Sequence, residues 1–382
     1  WVLVPHGYTK RQEISRVSMG FWKCSLANLE MSFWKGKRVL ITGNTGFKGT
    51  WLSLFLQKLG ASLQGLALKP AEISAFNLCK LDSSYPTLYE DICNVDALNK
   101  VQNDFQPEIV FHMAAQPLVT ASYEDPIETY RVNVLGTSSV LDILKNSNSI
   151  QSIVVVTTDK CYENIDLRVP FKESDQLGGN DPYSASKACT EIVANSYRTS
   201  FFDSSGIGLA TARAGNVIGG GDFSAKRLVP DILESSTNGN KLELRYPNAI
   251  RPWQHVFDVL WGYLVLAEKL TKDFKKFSSG WNFGPTAHSN LTVLELVKMF
   301  NDLGLNGSLK FSVTDSASIV KEANCLLLNS TKANKQLPWV NAMSIEKSIQ
   351  SIIDWNHSYI HNLSLRETSR KQVESYLENI LK

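Results

Sequence analysis

The stretch Arg38-Val39-Leu40-Ile41-Thr42 runs directly into Gly43-Asn44-Thr45-Gly46-Phe47-Lys48-Gly49, and it limits the fold more than any other part of the chain. Val39 to Ile41 predicts a short buried strand, and the apolar pattern from Phe47 to Leu59, stopped by Gly60, predicts a helix. Three evenly spaced glycines join them. Gly43 suits a tight turn, Gly46 leaves room for a phosphate, and Gly49 lets the helix pack on the strand with its free N–H groups facing that phosphate. The stretch reads as a dinucleotide site, with Gly43, Asn44, Thr45, Gly46, Phe47 and Gly49 as its contacts. Glycine is common in ordinary turns, so the weight falls on the downstream elements of the chain.

Ser62 to Leu68 predicts a second strand. It ends at Lys69-Pro70 without the acidic residue that usually takes the adenosine ribose of NAD; Glu72 comes late, and Lys69 would suit a 2′-phosphate. Further strands are predicted at Thr87–Glu90, Ile109–Met113 and Ile153–Val156, with a long helix from Tyr123 to Leu144 that contains Asn133. Alternating strand and helix predict an α/β chain built on a Rossmann-type, doubly wound parallel sheet. From about Gly221 the alternation loosens, which predicts a smaller mixed α/β substrate-binding domain. The expected division is a dinucleotide-binding domain over 31–215 and a mainly substrate-binding domain over 216–382, with some segments returning to the first. Residues 1–30 carry Lys10, Arg11, Arg16 and Lys23 against Glu13 and Glu30 and show no period, so they read as an upstream extension of unclear status, with Met31 a candidate start.

Composition narrows the function classes. The 382 residues include 39 basic and 37 acidic side chains with no basic block, which argues against nucleic acid and for a small-molecule partner. No apolar run approaches the roughly 20 residues of a membrane span. The six cysteines are scattered without a Cys-x-x-Cys pair, as expected of reduced thiols in a cytoplasmic protein. His357 and His361 stand one helical turn apart but have no glutamate between them, so no metal site is expected.

The Ile153–Val156 strand delivers Thr157-Thr158-Asp159-Lys160 at its carboxyl end, where open α/β sheets place ligands. Downstream, Asp181-Pro182-Tyr183-Ser184-Ala185-Ser186-Lys187 opens a helix, with Asp181 as cap. Tyr183 and Lys187 share one face of it. A cation beside a phenol favours the phenolate, which predicts a lowered pKa for Tyr183 and a base for proton transfer. Alone such a pair is usually a surface contact, but here it comes after a glycine fingerprint and a strand-end threonine in order.

Taken together, the glycine stretch, Thr158-Asp159-Lys160-Cys161-Tyr162-Glu163-Asn164, Tyr183-x-x-x-Lys187, Gly215-Asn216-Val217-Ile218-Gly219-Gly220-Gly221-Asp222, Arg251-Pro252-Trp253-Gln254-His255-Val256 and Trp281-Asn282-Phe283-Gly284-Pro285 carry a resemblance. The chain resembles the extended short-chain dehydrogenases/reductases, and within them the nucleotide-sugar 4,6-dehydratases, most closely the branch acting on CDP-glucose. The resemblance implies bound NAD, CDP-glucose as substrate, a homo-oligomer, and a place in making the 3,6-dideoxy sugars of bacterial surface polysaccharide. It implies that Asp91-Ile92 meets the adenine and that Ala114, Ala115, Gln116 and Asn133 complete the cofactor cradle with Tyr183 and Lys187. Asn216, Arg227, Arg251 and His255 are the implied substrate contacts; an arginine fork also suits a diphosphate on its own chemistry.

The implied reaction lends one hydride from the sugar's C4 to NAD and returns it to C6. Tyr183, helped by Thr158 and Lys187, takes the C4 hydroxyl proton, and Asp159 protonates the hydroxyl leaving C6. Asp159 can do so only if burial raises its pKa. Lys160 stands where many relatives have a glutamate, so the C5 base stays open between Lys160, Tyr183 acting twice and Glu163. Two rivals remain: a nucleotide-sugar 4-epimerase, which needs no acid to expel water, and a non-catalytic dinucleotide-binding protein, which has no need of Tyr183 and Lys187.

Overall fold

The computed structural model describes residues 31–166, 168–305, 309–313 and 323–381. The expected extension over 1–30, with Cys24, lies outside them. The first half of the chain forms β1 (Arg38–Thr42), β2 (Ser62–Ala67), β3 (Thr87–Tyr89), β4 (Ile109–His112), β5 (Ser152–Val156) and β6 (Gly208–Ala214). The second half adds β7 (Asn216–Ile218), β8 (Leu242–Leu244), β9 (Ile250–His255), β10 (Gly280–Phe283), β11 (Asn290–Thr292) and β12 (Phe311–Val313). Seven of these make one parallel sheet in the order β10-β6-β5-β4-β1-β2-β3. Strand order reverses between β1 and β4, the point where such sheets open a crevice at their carboxyl ends. The expected doubly wound α/β class is borne out.

Period-two alternation divides the sheet's side chains between two layers of helices. Val39, Ile41 and Val154 face a core completed by Trp51 and Phe55 of α1 (Phe47–Lys58). Leu40, Ile153 and Val155 face the opposite core, with Val101 of α2 (Val95–Phe105), Leu141 of α3 (Thr137–Leu144) and Ala194 of α4 (Pro182–Tyr197). A third core lies in the second half of the chain. There α5 (Leu228–Asn238), β8 and β9 contribute Ile232, Leu244 and Trp253. Helix α6 (Val256–Lys272) returns to the Val39 face and is buried along most of its length, followed by β10 at the sheet's edge. Phe300 of α7 (Val293–Asp302) and Ile349 of α8 (Ile345–Ile360) close the third core. Finally, α9 (Leu365–Leu381) packs Tyr376 against Phe55 and Phe257 beside the main sheet.

One predicted element differs. The helix expected from Tyr123 to Leu144 is broken: Val119–Glu124 ends at Asp125, whose backbone (φ −138°, ψ 83°) is non-helical ahead of Pro126. Proline excludes the helical conformation from the residue before it, and apolar periodicity does not register that. After Pro126–Tyr130 the chain widens into a π-helical turn over Arg131–Gly136 before α3 begins. That turn carries Asn133 inward.

Candidate active site

Four strand ends meet at the switch point. At the end of β1, Gly43 adopts φ +74°, and a Cβ on it would stand 2.7 Å from the backbone nitrogen of Ala114 beyond β4. Glycine is therefore required there by both backbone and contact. A Cβ on Gly49 would reach 2.3 Å from the Gly43 carbonyl oxygen, so α1 lies hard against the turn. Gly46 is the N-cap of α1 and has no side chain to satisfy the first-turn N–H groups. These donors and the space over Gly46 suit an anion such as a pyrophosphate.

The remaining expected cradle residues are placed unevenly. Asn44 turns into the sheet, its Nδ2 donating to Tyr85 Oη (3.1 Å) and Thr87 Oγ1 (2.9 Å), so only its backbone faces the cradle. Thr45 Oγ1 donates to the Leu68 carbonyl at 3.0 Å. Asp91 is held by Arg131 (2.6 Å) and the Cys93 N–H (2.8 Å), while Ile92 is buried against Gly136. Asn133 ties two walls together: its Oδ1 accepts from the Gln116 N–H (2.8 Å), and its Nδ2 donates to the Gln116 carbonyl (3.1 Å) and Ser186 Oγ (2.8 Å). It fixes the Ala114–Gln116 loop against α4.

A polar cleft opens beside this cradle. Its lining brings together Thr158, Asp159, Lys160, Tyr183, Asn216, Arg227 and Arg251. Thr158 N-caps a short 3-10 turn over Asp159–Cys161, accepting from the Lys160 N–H (3.3 Å) and donating to Asp159 Oδ1 (3.1 Å). Asp159 Oδ2 is buried without a hydrogen-bond partner. A Cβ on Gly215, at the end of β6, would approach that oxygen to 3.0 Å, so the glycine leaves the carboxyl its space. Burial raises the Asp159 pKa from 3.8 to about 6, against the pull of Lys160, Thr158, Arg251 and Lys48. The shift is in the direction an acid needs.

Tyr183 departs from expectation. Asp181 caps α4 through the Ser184 N–H (2.9 Å) with Pro182 in the first turn, as the sequence predicts, and Tyr183 reaches the cleft. Burial, however, pushes its pKa up to about 12, with Thr158 and Arg227 pulling down and Asp159 and Asp181 adding to the rise. The phenolate is costly in a closed cleft, and Lys187 does not offset it. Lys187 itself is buried behind the wall, 3.4 Å from the Val156 carbonyl, and burial lowers its pKa to about 8 against the pull of Glu191.

His255 is not brought to the cleft. It is buried at the start of α6, where Nδ1 accepts from the Phe257 N–H (3.2 Å) and the ring packs edge-on against Phe257. Desolvation lowers its pKa to about 3, so it caps a helix as a neutral imidazole. Glu163 is exposed and outside the lining as well. Conversely, the cleft holds Lys48, Asp222, Arg245 and Tyr246, which sequence reasoning passed over. Lys48 and Asp222 stand inside motifs read for their glycines, and that proximity was the available signal.

Among the described residues no group of acidic, histidine or cysteine side chains suits a metal ion, and no helix is long and apolar enough to cross a membrane. A family model described as GDP-mannose 4,6 dehydratase matches residues 40–352. The chain belongs to that family. It is 43% identical over 356 residues to the CDP-glucose 4,6-dehydratase of Salmonella typhimurium, covering 91% of this chain and 98% of the relative. The dTDP-glucose 4,6-dehydratase of Haemophilus influenzae is 24% identical, covering 85% and 98%. Among solved structures, the Bacillus anthracis dTDP-glucose 4,6-dehydratase in complex with NAD superposes with a TM-score of 0.71 at 21% identity, covering 87% of this chain and 100% of the other. The Thermotoga maritima UDP-glucose 4-epimerase with UDP-glucose gives 0.72 at 19% identity, covering 85% and 99%. The two structures share the fold; the family match and the 43% relative bear out the resemblance to nucleotide-sugar dehydratases.

Proposed function

We propose that this protein is a lyase that converts CDP-glucose to CDP-4-keto-6-deoxyglucose and water. The observation that carries the reading is Asp159: a buried carboxyl, its pKa raised to about 6, with one oxygen unpartnered in the cleft that Tyr183 lines. A 4-epimerase has no hydroxyl to expel and no use for such an acid. The 43% identity to a CDP-glucose 4,6-dehydratase over nearly the whole chain supports the same substrate.

On this reading residues 31–215 hold NAD and most of 216–382 holds the nucleotide sugar. The uncapped first turn of α1, Gly46 and the Ala114–Gln116 loop braced by Asn133 would hold the cofactor. Bound NAD would supply the hydride acceptor and donor. Tyr183 exchanges the C4 hydroxyl proton, with Thr158 and Arg227 easing its ionisation against burial. Asp159 gives its proton to the hydroxyl departing C6, which leaves as water. Arg227, Arg251 and Asn216 orient the diphosphate, and Lys160 and Tyr183, which both line the cleft, are the candidates for the base that takes the C5 proton and gives one back, Lys160 only in its neutral form. A homo-oligomer, the cytoplasm and a role in dideoxy-sugar supply complete the proposal. For the oligomer, Ile127, Leu135 and Ile192 are large exposed apolar side chains on neighbouring helical segments.

Mass spectrometry of the protein incubated with CDP-, dTDP-, UDP- and GDP-sugars, with NAD⁺ or NADP⁺, tests the reading. Loss of one water from CDP-glucose is the expected result. Unchanged mass with a shifted glucose-to-galactose ratio would replace the dehydratase with an epimerase.

A further inference from the structure

Lys48 stands among the fingerprint glycines on the first turn of α1, yet its side chain lines the cleft beside Asp159, Tyr183, Asp222 and Arg227. Among the described residues its ammonium makes neither a hydrogen bond nor an ion pair. The groups around it come from three directions. Asp222 and Arg227 precede α5 and are engaged with each other at 3.1 Å. Asp159 and Lys160 lie just beyond β5, and Tyr183 and Lys187 belong to α4. Burial first, then the charges of Arg227 and Lys187, lower the Lys48 pKa from 10.5 to about 7, while Asp159 and Asp222 pull it back up. An amine without an ion-pair partner, facing a cleft where Asp159 Oδ2 is also buried and unpartnered, is a place an anion would charge and occupy.

We propose that Lys48 is a binding residue for a nucleotide diphosphate, its ammonium meeting a phosphate oxygen. The inference rests on the cleft being the nucleotide-sugar site proposed above. Because Lys48 lies between the start of α1 and that cleft, the same chemistry is offered by the nucleotide sugar and by the dinucleotide. Either diphosphate would restore full charge to the amine, so binding takes up a proton. At pH 8 an amine titrating at about 7 is roughly one-tenth protonated, and binding should draw up to about nine-tenths of a proton.

Titration calorimetry of the intact protein at pH 8, in two buffers of different ionisation enthalpy, reads affinity and proton uptake together, with CDP-glucose in one arm and NAD⁺ in the other. In Lys48→Met the affinity falls about tenfold or more and the uptake disappears. In Lys48→Arg, which keeps the charge at all pH, affinity is largely retained and the uptake still disappears. A deficit confined to one arm assigns Lys48 to that ligand's diphosphate. Unchanged affinity and uptake in both arms of Lys48→Met would overturn the proposal. Failure of the unaltered protein to bind CDP-glucose would overturn the nucleotide-sugar reading instead, leaving the NAD⁺ arm to decide Lys48.

Discussion

Asp159 and Glu191 are both buried carboxyls near the same cleft, and their pKa values move in opposite directions. Burial pushes both upward. Glu191, one turn beyond Lys187 on α4, accepts from Arg213 Nε (2.9 Å) and Nη2 (2.7 Å), from Thr157 (2.5 Å) and from Thr211 (2.6 Å). Those four donors outweigh desolvation and leave it below the ordinary carboxylate range. The network runs on through Arg213 to Tyr162 (2.7 Å) and through Tyr162 to Asn282 (2.7 Å), joining α4 to β5, β6 and β10. Asp159 has one donor, Thr158, and an empty-handed second oxygen, so it ends at about 6. The count of converging donors, more than depth, decides whether a buried carboxyl becomes a brace or a proton carrier.

The contrast breaks most plainly at the chemical step. Asp159→Asn should slow water elimination roughly a hundred- to ten-thousand-fold, measured as product formed per turnover by mass spectrometry, while CDP-glucose still binds. Glu191→Gln should leave the cleft's own groups in place but strand the buried Arg213 charge, costing about 3–5 kcal/mol of stability in a denaturant titration. If Glu191→Gln instead lost activity with unchanged stability, the brace would be a catalytic group.

A third effect is smaller and of opposite sign. The folded chain holds the Asp159 proton to higher pH than the unfolded chain, so its ionisation costs stability as pH rises from the ordinary carboxylate value through about 6. Asp159→Asn should therefore be more stable than the unaltered protein at pH 8, by up to about 3 kcal/mol, and show no such gain at pH 3. Glu191 works the other way: its depressed pKa adds stability above the ordinary range, lost as pH falls through the depressed value. The smallest effect concerns Lys160, whose charge lowers the Asp159 pKa. Lys160→Gln should raise the Asp159 midpoint by less than about one unit, as expected of a single charge beside a partly screened site.

Much of this was legible in the sequence because it lives in local pattern. The Val39–Ile41 strand, the spacing from Gly43 to Gly49, the strand-end Thr158-Asp159 pair and the face shared by Tyr183 and Lys187 all come from periods and turn chemistry. What escaped depends on contacts distant in the chain. His255 stands in the same short motif as Arg251, yet β9 delivers Arg251 to the cleft wall and His255 to a helix cap. The raised Tyr183 pKa comes from how tightly the cleft closes over it, which a pair spacing does not encode. Lys48 was hidden because its neighbours in the motif explained the motif, and the charged groups around it lie on α4, beyond β5 and before α5.

The most direct test of the central claim is infrared difference spectroscopy of the unaltered protein against Asp159→Asn across a pH series. The account predicts a protonated-carboxyl band, absent from the variant, that disappears with a midpoint near 6. A spectrum in which Asp159 is already fully ionised at pH 5 would contradict it, because the cleft would then hold no acid to release water.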